Sequence, residues 1–289
     1  MADLLKNASE LIQSEGFTGA HSLIFLIRYA FLAEKKSLMK LIGNTLEGLS
    51  GLEESASLVY AYAEYYKAEK AEFCLPALSF LISRCRDDDP MLLPALAKAA
   101  NVTGDERFLQ LALIRADECD EPALKDAPFV ALGFLELYRL TGDGAWLDRA
   151  AGLGEHIKEN FRELFDPSAA YDMQQPSPNS ATALLYDELS RLTRDQQWHT
   201  AREVQNRLIA MLADRYPTRV AFGLNALLAD EFEAKTVVCM FPGDEIPPEV
   251  RSLQAYYSPL TEFIAVPAET DRTRYYLLKD GEMEELKGI

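Results

Sequence analysis

The sequence predicts a mainly α-helical protein: an (α/α)6 toroid of six helical hairpins over residues 1–232, then a small β-sheet annex over 233–289. Three observations predict it. A short turn phrase recurs along the chain, wholly apolar and one-sided helices alternate around it, and the periodicity changes after Asp230. A repeat of this period marks an array of helical hairpins.

The clear copies of the phrase are Thr103-Gly104-Asp105 and Thr141-Gly142-Asp143, with an aromatic three residues after each Asp (Phe108, Trp146). Weaker copies stand at Ala33-Glu34-Lys35, Ala68-Glu69-Lys70 and Thr193-Arg194-Asp195, followed by Leu38, Phe73 and Trp198. The copies start 35, 35, 38 and 52 residues apart. The recurring aromatics read as packing between helices, not as a cofactor box.

The segment before each turn differs in kind from the one after it. Phe129 to Leu140 is apolar nearly all round, so that helix is buried on most faces. Trp146, Ala150, Leu153, Ile157 and Phe161 form one stripe, so the next helix packs on one side. The same alternation runs through 23–49, 56–82, 95–112 and 181–212. A striped helix at 3–14 and an apolar one at 218–230 remain to close a ring. An open solenoid would need polar capping faces, which the apolar last helix lacks. Beyond it, Thr236–Phe241 and Glu262–Val266 read as buried strands and Arg274–Glu285 as a hairpin turning at Asp280-Gly281.

Composition narrows the partners. A formal charge of −17 argues against nucleic acid, whose phosphates require clustered cations, and disfavours anionic membranes. No apolar run reaches the length of a membrane span, and residues 1–15 carry charges unlike those of a signal peptide. Four scattered cysteines without metal-ligand spacing read as free thiols in a reducing cytoplasm. Neither a metal nor a cofactor is expected. Arg86-Asp-Asp-Asp89 before Pro90 reads as a cap and solvated turn.

Four stretches stand in family-like order: Leu124 through Asp143, the Pro176-Ser-Pro-Asn-Ser180 loop, Arg215-Tyr-Pro217 and Tyr276-Leu-Leu-Lys-Asp-Gly281. Together they resemble the C-terminal region of the thioredoxin-domain proteins related to spermatogenesis-associated protein 20. That region is similar to the N-acylglucosamine 2-epimerase and six-hairpin glycosidase toroids. The resemblance implies a toroid with a saccharide-sized cleft. The departures imply a trimmed relative that has lost catalysis. The family's thioredoxin-like domain and its long insertion after the second hairpin have no counterpart. Its His-Phe-Glu-Lys-Met-Leu-Tyr-Asp-Asn segment is reduced to Gly51-Leu-Glu-Glu-Ser-Ala-Ser57, with Glu54 and Ser55 where the family has Asp and Asn.

The repeat places all its short turns at one end and the longer, varied connectors at the other, where function tends to concentrate. Inner-helix N-termini would face that second mouth and favour an anionic or hydroxyl-rich ligand. His21 and Asp126 are the candidate proton-transfer groups there, with Glu54 as partner acid. Phe17 offers a stacking face, and Tyr171, Asp172 and Asn179 offer ligand contacts. Each also has a structural role open to it. Asp126, Glu53, Ser180 and Asp88 sit where helix caps belong, and His21 begins an apolar helix. Two readings follow. One is a non-catalytic binding or scaffold protein for a saccharide, another polar small molecule or a protein. The other is a sugar epimerase, isomerase or glycosidase.

Overall fold

The computed structural model describes residues 1–16, 19–49, 55–160, 170–243, 245–279 and 282–286. The chain is mostly helical with a small four-stranded sheet. The helices are α1 (Ala2–Glu15), α2 (Ala20–Leu32), α3 (Lys36–Leu49), α4 (Ala56–Glu69), α5 (Cys74–Ile82), α6 (Leu92–Thr103) and α7 (Glu106–Asp117). There follow α8 (Ala127–Thr141), α9 (Gly144–Glu159), α10 (Pro178–Thr193), α11 (Gln196–Ala213), α12 (Leu224–Leu227) and α13 (Pro248–Ala255).

Burial follows the alternation in the sequence. Helices α2, α4, α6, α8 and α10 are buried on nearly every residue, whereas α3, α7, α9 and α11 bury one stripe each. Each buried helix packs on the next, in the order α2, α4, α6, α8, α10, α12, and α12 returns to α2. Each striped helix packs on the buried helix before it.

The turn phrase has a physical logic that three copies repeat. In Thr103-Gly104-Asp105, the Thr103 hydroxyl donates to Ala99 O and accepts from Asp105 N. Gly104 is left-handed at φ 69°, and Asp105 Oδ1 accepts from Arg107 N to cap α7. Thr141/Asp143 and Thr193/Asp195 do the same for α9 and α11. The left-handed residue marks the true register: Glu34, Lys70, Gly104, Gly142 and Arg194. The second copy is therefore Glu69-Lys70-Ala71, one residue later than the turn phrase read from the sequence. The aromatics pack as expected: Trp198 stacks on Tyr186 at 5.8 Å and Trp146 lies 5.5 Å from Phe134.

The expected apolar helix at 218–230 is shorter and broken. A 3-10 turn at Pro217–Arg219, the four-residue α12 and a second 3-10 turn at Leu228–Asp230 take its place. Gly223 lies so close to Ile209 and Ser180 that a Cβ there would come within 3.0 Å of both, so close packing replaces regular helix.

The annex strands are β1 (Lys235–Phe241), β2 (Thr261–Pro267), β3 (Arg274–Lys279) and β4 (Glu282–Glu285), in the order β2-β1-β3-β4. β1 pairs in parallel with β2 and antiparallel with β3. Helix α13, absent from the sequence reading, makes the crossover that a parallel pair requires. Val237, Cys239, Phe241 and Ala265 face a small core with Ile246 and Val250. The strand alternation turns Thr236 and Glu262 to the opposite face, against the C-terminal halves of α8 and α10.

The left-handed positions generate a paired expectation. Glu34→Gly relieves a φ of 54° and should raise unfolding free energy by about 0.5–1 kcal/mol. Gly142→Ala adds a Cβ at φ 74° and 2.9 Å from Ile246, and should lower it by about 1–2 kcal/mol. Urea denaturation of both variants checks this.

Candidate functional site

The mouth where the buried helices begin is largely satisfied from within. Asp172, 4 % exposed, accepts from Ser177 N at 2.7 Å and Phe222 N at 2.8 Å, so each carboxylate oxygen holds a backbone amide. Asp89 accepts from Ala56 N and Met91 N, joining the starts of α4 and α6. Ser177, not Ser180, caps α10, and Asp89 rather than the exposed Asp88 does the capping in the acidic run. Asn179 is buried in the first turn of α10, and its carbonyl accepts from Gln205. Tyr171 packs edge-on against Tyr216 at 5.9 Å, with the Arg219 guanidinium 6.0 Å from its ring. His21 is buried in α2 with its ring folded against Gly19. Asp126 precedes α8 half-buried, and its side chain makes no cap hydrogen bond. In the packing order α2 and α8 have two buried helices between them on either side. Phe17 and Glu54 lie outside the described residues.

The polar chamber is at the opposite end, beneath the annex. Six residues before each left-handed turn stands a buried charged side chain: Arg28, Glu64, Lys98, Glu136 and Glu188. Three residues later in the last four of these helices come Lys67, Asn101, Arg139 and Arg191. A common repeat position puts these groups at common levels, and they pair. Arg28 Nε donates to Glu64 at 2.8 Å. Lys98 Nζ lies 3.5 Å from Glu64 and 3.2 Å from Glu136. Arg139 reaches Glu136 at 3.4 Å and Glu188 at 3.2 Å. The Tyr60 hydroxyl accepts from Arg28 and donates to Glu136.

One annex carboxylate joins the ionic network. Arg139 grips Glu262 with two hydrogen bonds, 2.9 and 3.0 Å, and Arg191 bonds the same group. Arg191 continues to Asp187 at 3.0 Å, and Arg202 to Asp187 at 2.7 Å and to Asp230. Tyr257 seals another side, edge-on to Phe31 at 4.7 Å with its hydroxyl beside Glu64.

Between girdle and annex lies a cavity of about 60 Å³, walled by Glu64, Lys98, Glu136 and Arg139 and rimmed by Asn101, Gln254, Ser258 and Thr261. Burial alone would raise the Glu64 carboxyl, but Arg28 and Lys98 outweigh it and hold it at about 2. Glu262 likewise rests at about 2, because Arg139 and Arg191 overcome its burial. Glu188 ends above the ordinary range: its burial, reinforced by Glu262, outweighs Arg139. Among the described residues, Lys67 is the charged group on this cavity that forms no ion pair or hydrogen bond. Burial and Lys98 push its ammonium down to about 8, against the pull of Glu136 and Glu64.

Sequence reading missed this site because it averaged each inner helix as apolar. The signal was present as one charge at a fixed distance before every turn. Among the described residues no group of His, Cys, Asp and Glu could hold a metal ion, and no helix is long and apolar enough to cross a membrane.

These features define a helical-repeat protein whose buried helices end in a paired ionic chamber under a β-sheet. The fold is similar to that of the Lin0763 protein from Listeria innocua, with TM-score 0.56 and 11% identity over 73% of this chain and 85% of that one. Likeness at this identity concerns the fold alone. No family model matches the chain, and no curated protein matches it.

Two expectations follow. Glu262→Gln leaves two buried arginines short of their shared counter-charge, which should lower stability by about 3–5 kcal/mol and speed proteolysis in the annex; urea titration and limited proteolysis check it. Lys67 titrates below the ordinary 10.5, so the unfolded chain binds more protons between about pH 8 and 10.5, and stability rises with pH across that window. Lys67→Met should flatten that part of the profile and stabilise the protein at pH 7 by on the order of 1–3 kcal/mol, read from denaturation across pH.

Proposed function

We propose that this chain is an (α/α)6 toroid of the kind found in the thioredoxin-domain family it resembles, acting as a binding protein. Its ligand is a small, hydroxyl-bearing molecule, a short polyol or the exposed end of a saccharide, held in the chamber under the annex and released unchanged. The cyclic packing of six buried segments supports the toroid. The observation that carries the functional reading is the contrast between the two ends. At the mouth where sugar chemistry was expected, the Asp172 carboxylate is spent on Ser177 and Phe222 amides, and His21 is buried in packing. At the other end, donors and acceptors from five helices converge on a cavity. Hydroxyl groups both donate and accept, so they suit walls that offer carboxylates beside cations without demanding a net charge.

A thermal-shift panel of neutral sugars, short polyols and sugar phosphates tests the reading. A neutral polyol or sugar should stabilise the protein, by about 2.7 kcal/mol at a hundredfold excess over Kd, and chromatography of the incubated compound should show it unaltered. Conversion of any panel sugar, or a flat response across the panel, would overturn the proposal.

A further inference from the structure

Lys67 stands three residues before its turn residue, the position that Arg139 and Arg191 occupy in their helices. Those two arginines reach up to Glu262. The annex residues on the same cavity are otherwise uncharged: Gln254, Ser258 and Thr261 among them. The second tier of cations thus meets one annex carboxylate, already shared by two arginines, and Lys67 is left over. Nearby, Glu136 is 2 % exposed, and its Oε2 has no hydrogen-bond partner among the described residues. An amine without a counter-ion and a buried acceptor without a donor therefore share one cavity.

We propose that Lys67 is the amine of a covalent binding site, holding a small hydroxylated aldehyde or ketone as an imine. The step balances without an oxidant or reductant. The neutral Nζ lone pair attacks the carbonyl carbon, the C=O π electrons take up a proton to give a carbinolamine, and loss of water leaves C=N. Glu188, whose carboxyl is held above the ordinary range, lies on the same cavity to give the proton the departing hydroxyl needs, and the Glu136 carboxylate can take the one the amine releases. The lowered proton affinity of Lys67 supports the step, since only the neutral amine attacks. A volume near 60 Å³ is room for roughly four to six waters at about 10–15 Å³ each, which selects a two- or three-carbon carbonyl compound. The amides and hydroxyls of Asn101, Gln254, Ser258 and Thr261 are placed to bind its hydroxyl groups.

The proposal rests on the binding reading above, and its test separates the two. The native protein is incubated at pH 7 with glycolaldehyde and cyanoborohydride, which reduces any imine to a stable hydroxyethyl-lysine, and modified peptides are quantified by mass spectrometry. Lys67 should be modified about tenfold faster than the exposed Lys36 and Lys40, and the advantage should vanish in urea. Lys67→Arg keeps the charge and should lose the fast adduct while leaving folding intact. Modification of Lys67 no faster than that of Lys36 and Lys40 overturns the covalent site. If sugars still raise Tm in that case, the non-covalent reading survives alone. Fast modification with a flat thermal-shift panel supports the imine site and sinks the sugar reading.

Discussion

The ionic girdle at the C-terminal ends of the buried helices is the constraint on which the rest depends. Each of five apolar helices carries one charge at the same place in the repeat, and none of these charges is affordable in a core unless it meets a partner. Arg28 to Glu64, Glu64 to Lys98, Lys98 to Glu136, Glu136 to Arg139 and Arg139 to Glu188 is a chain of contacts running helix by helix around the axis. Sliding any one helix by a turn would strand two charges. The network therefore fixes helix register more than it adds stability, since a buried ion pair is worth little against an apolar one of equal shape. Its location also makes electrostatic sense. Helix C-termini carry partial negative charge, and Arg28, Lys67, Lys98, Arg139 and Arg191 offset both it and the Glu64, Glu136 and Glu188 carboxylates in the same last two turns.

The opposite mouth follows the complementary rule. Free amides at helix N-termini attract anions, and the chain supplies its own. Asp89 serves the starts of α4 and α6, Asp172 binds amides at Ser177 and Phe222, and Ser177 caps α10. Asp172, a carboxylate expected to serve a ligand, helps close the fold instead. An external anion at the starts of α4, α6 or α10 would have to displace an intramolecular group already bonded at 2.7–3.0 Å.

The turns, the alternation of buried and striped helices and the strands were legible in the sequence because each is a local pattern. Thr-Gly-Asp names its own hydrogen bonds: Thr for the last turn, Gly for the left-handed residue, Asp for the next cap. The second copy slipped by one residue because Lys70 occupies the left-handed place without glycine to announce it. The chamber was not legible for a different reason. Its residues lie far apart in sequence, and Arg28 to Glu262 meet only after every helix has docked. Hydrophobic averaging hides a single charge among ten apolar neighbours, and Glu262 lies in a strand that read simply as buried. The resemblance to sugar-active toroids drew attention to the end where that chemistry would sit. The broken sixth segment was missed because periodicity cannot register how closely Gly223 approaches Ile209 and Ser180.

The annex does more than cover apolar surface. Without it, the C-terminal ends of the buried helices would open to solvent, and water would screen the girdle charges. With it docked, Glu262 supplies the missing negative charge to Arg139 and Arg191, while Tyr257 packs on Phe31 and closes over Glu64. The same act leaves Lys67 half-buried on the cavity without an ion pair. Whatever neutralises or pairs Lys67 would therefore favour the arrangement with the annex docked. A ligand that consumes the amine's charge would stabilise the closed chamber by the same free energy with which the chamber favours the ligand.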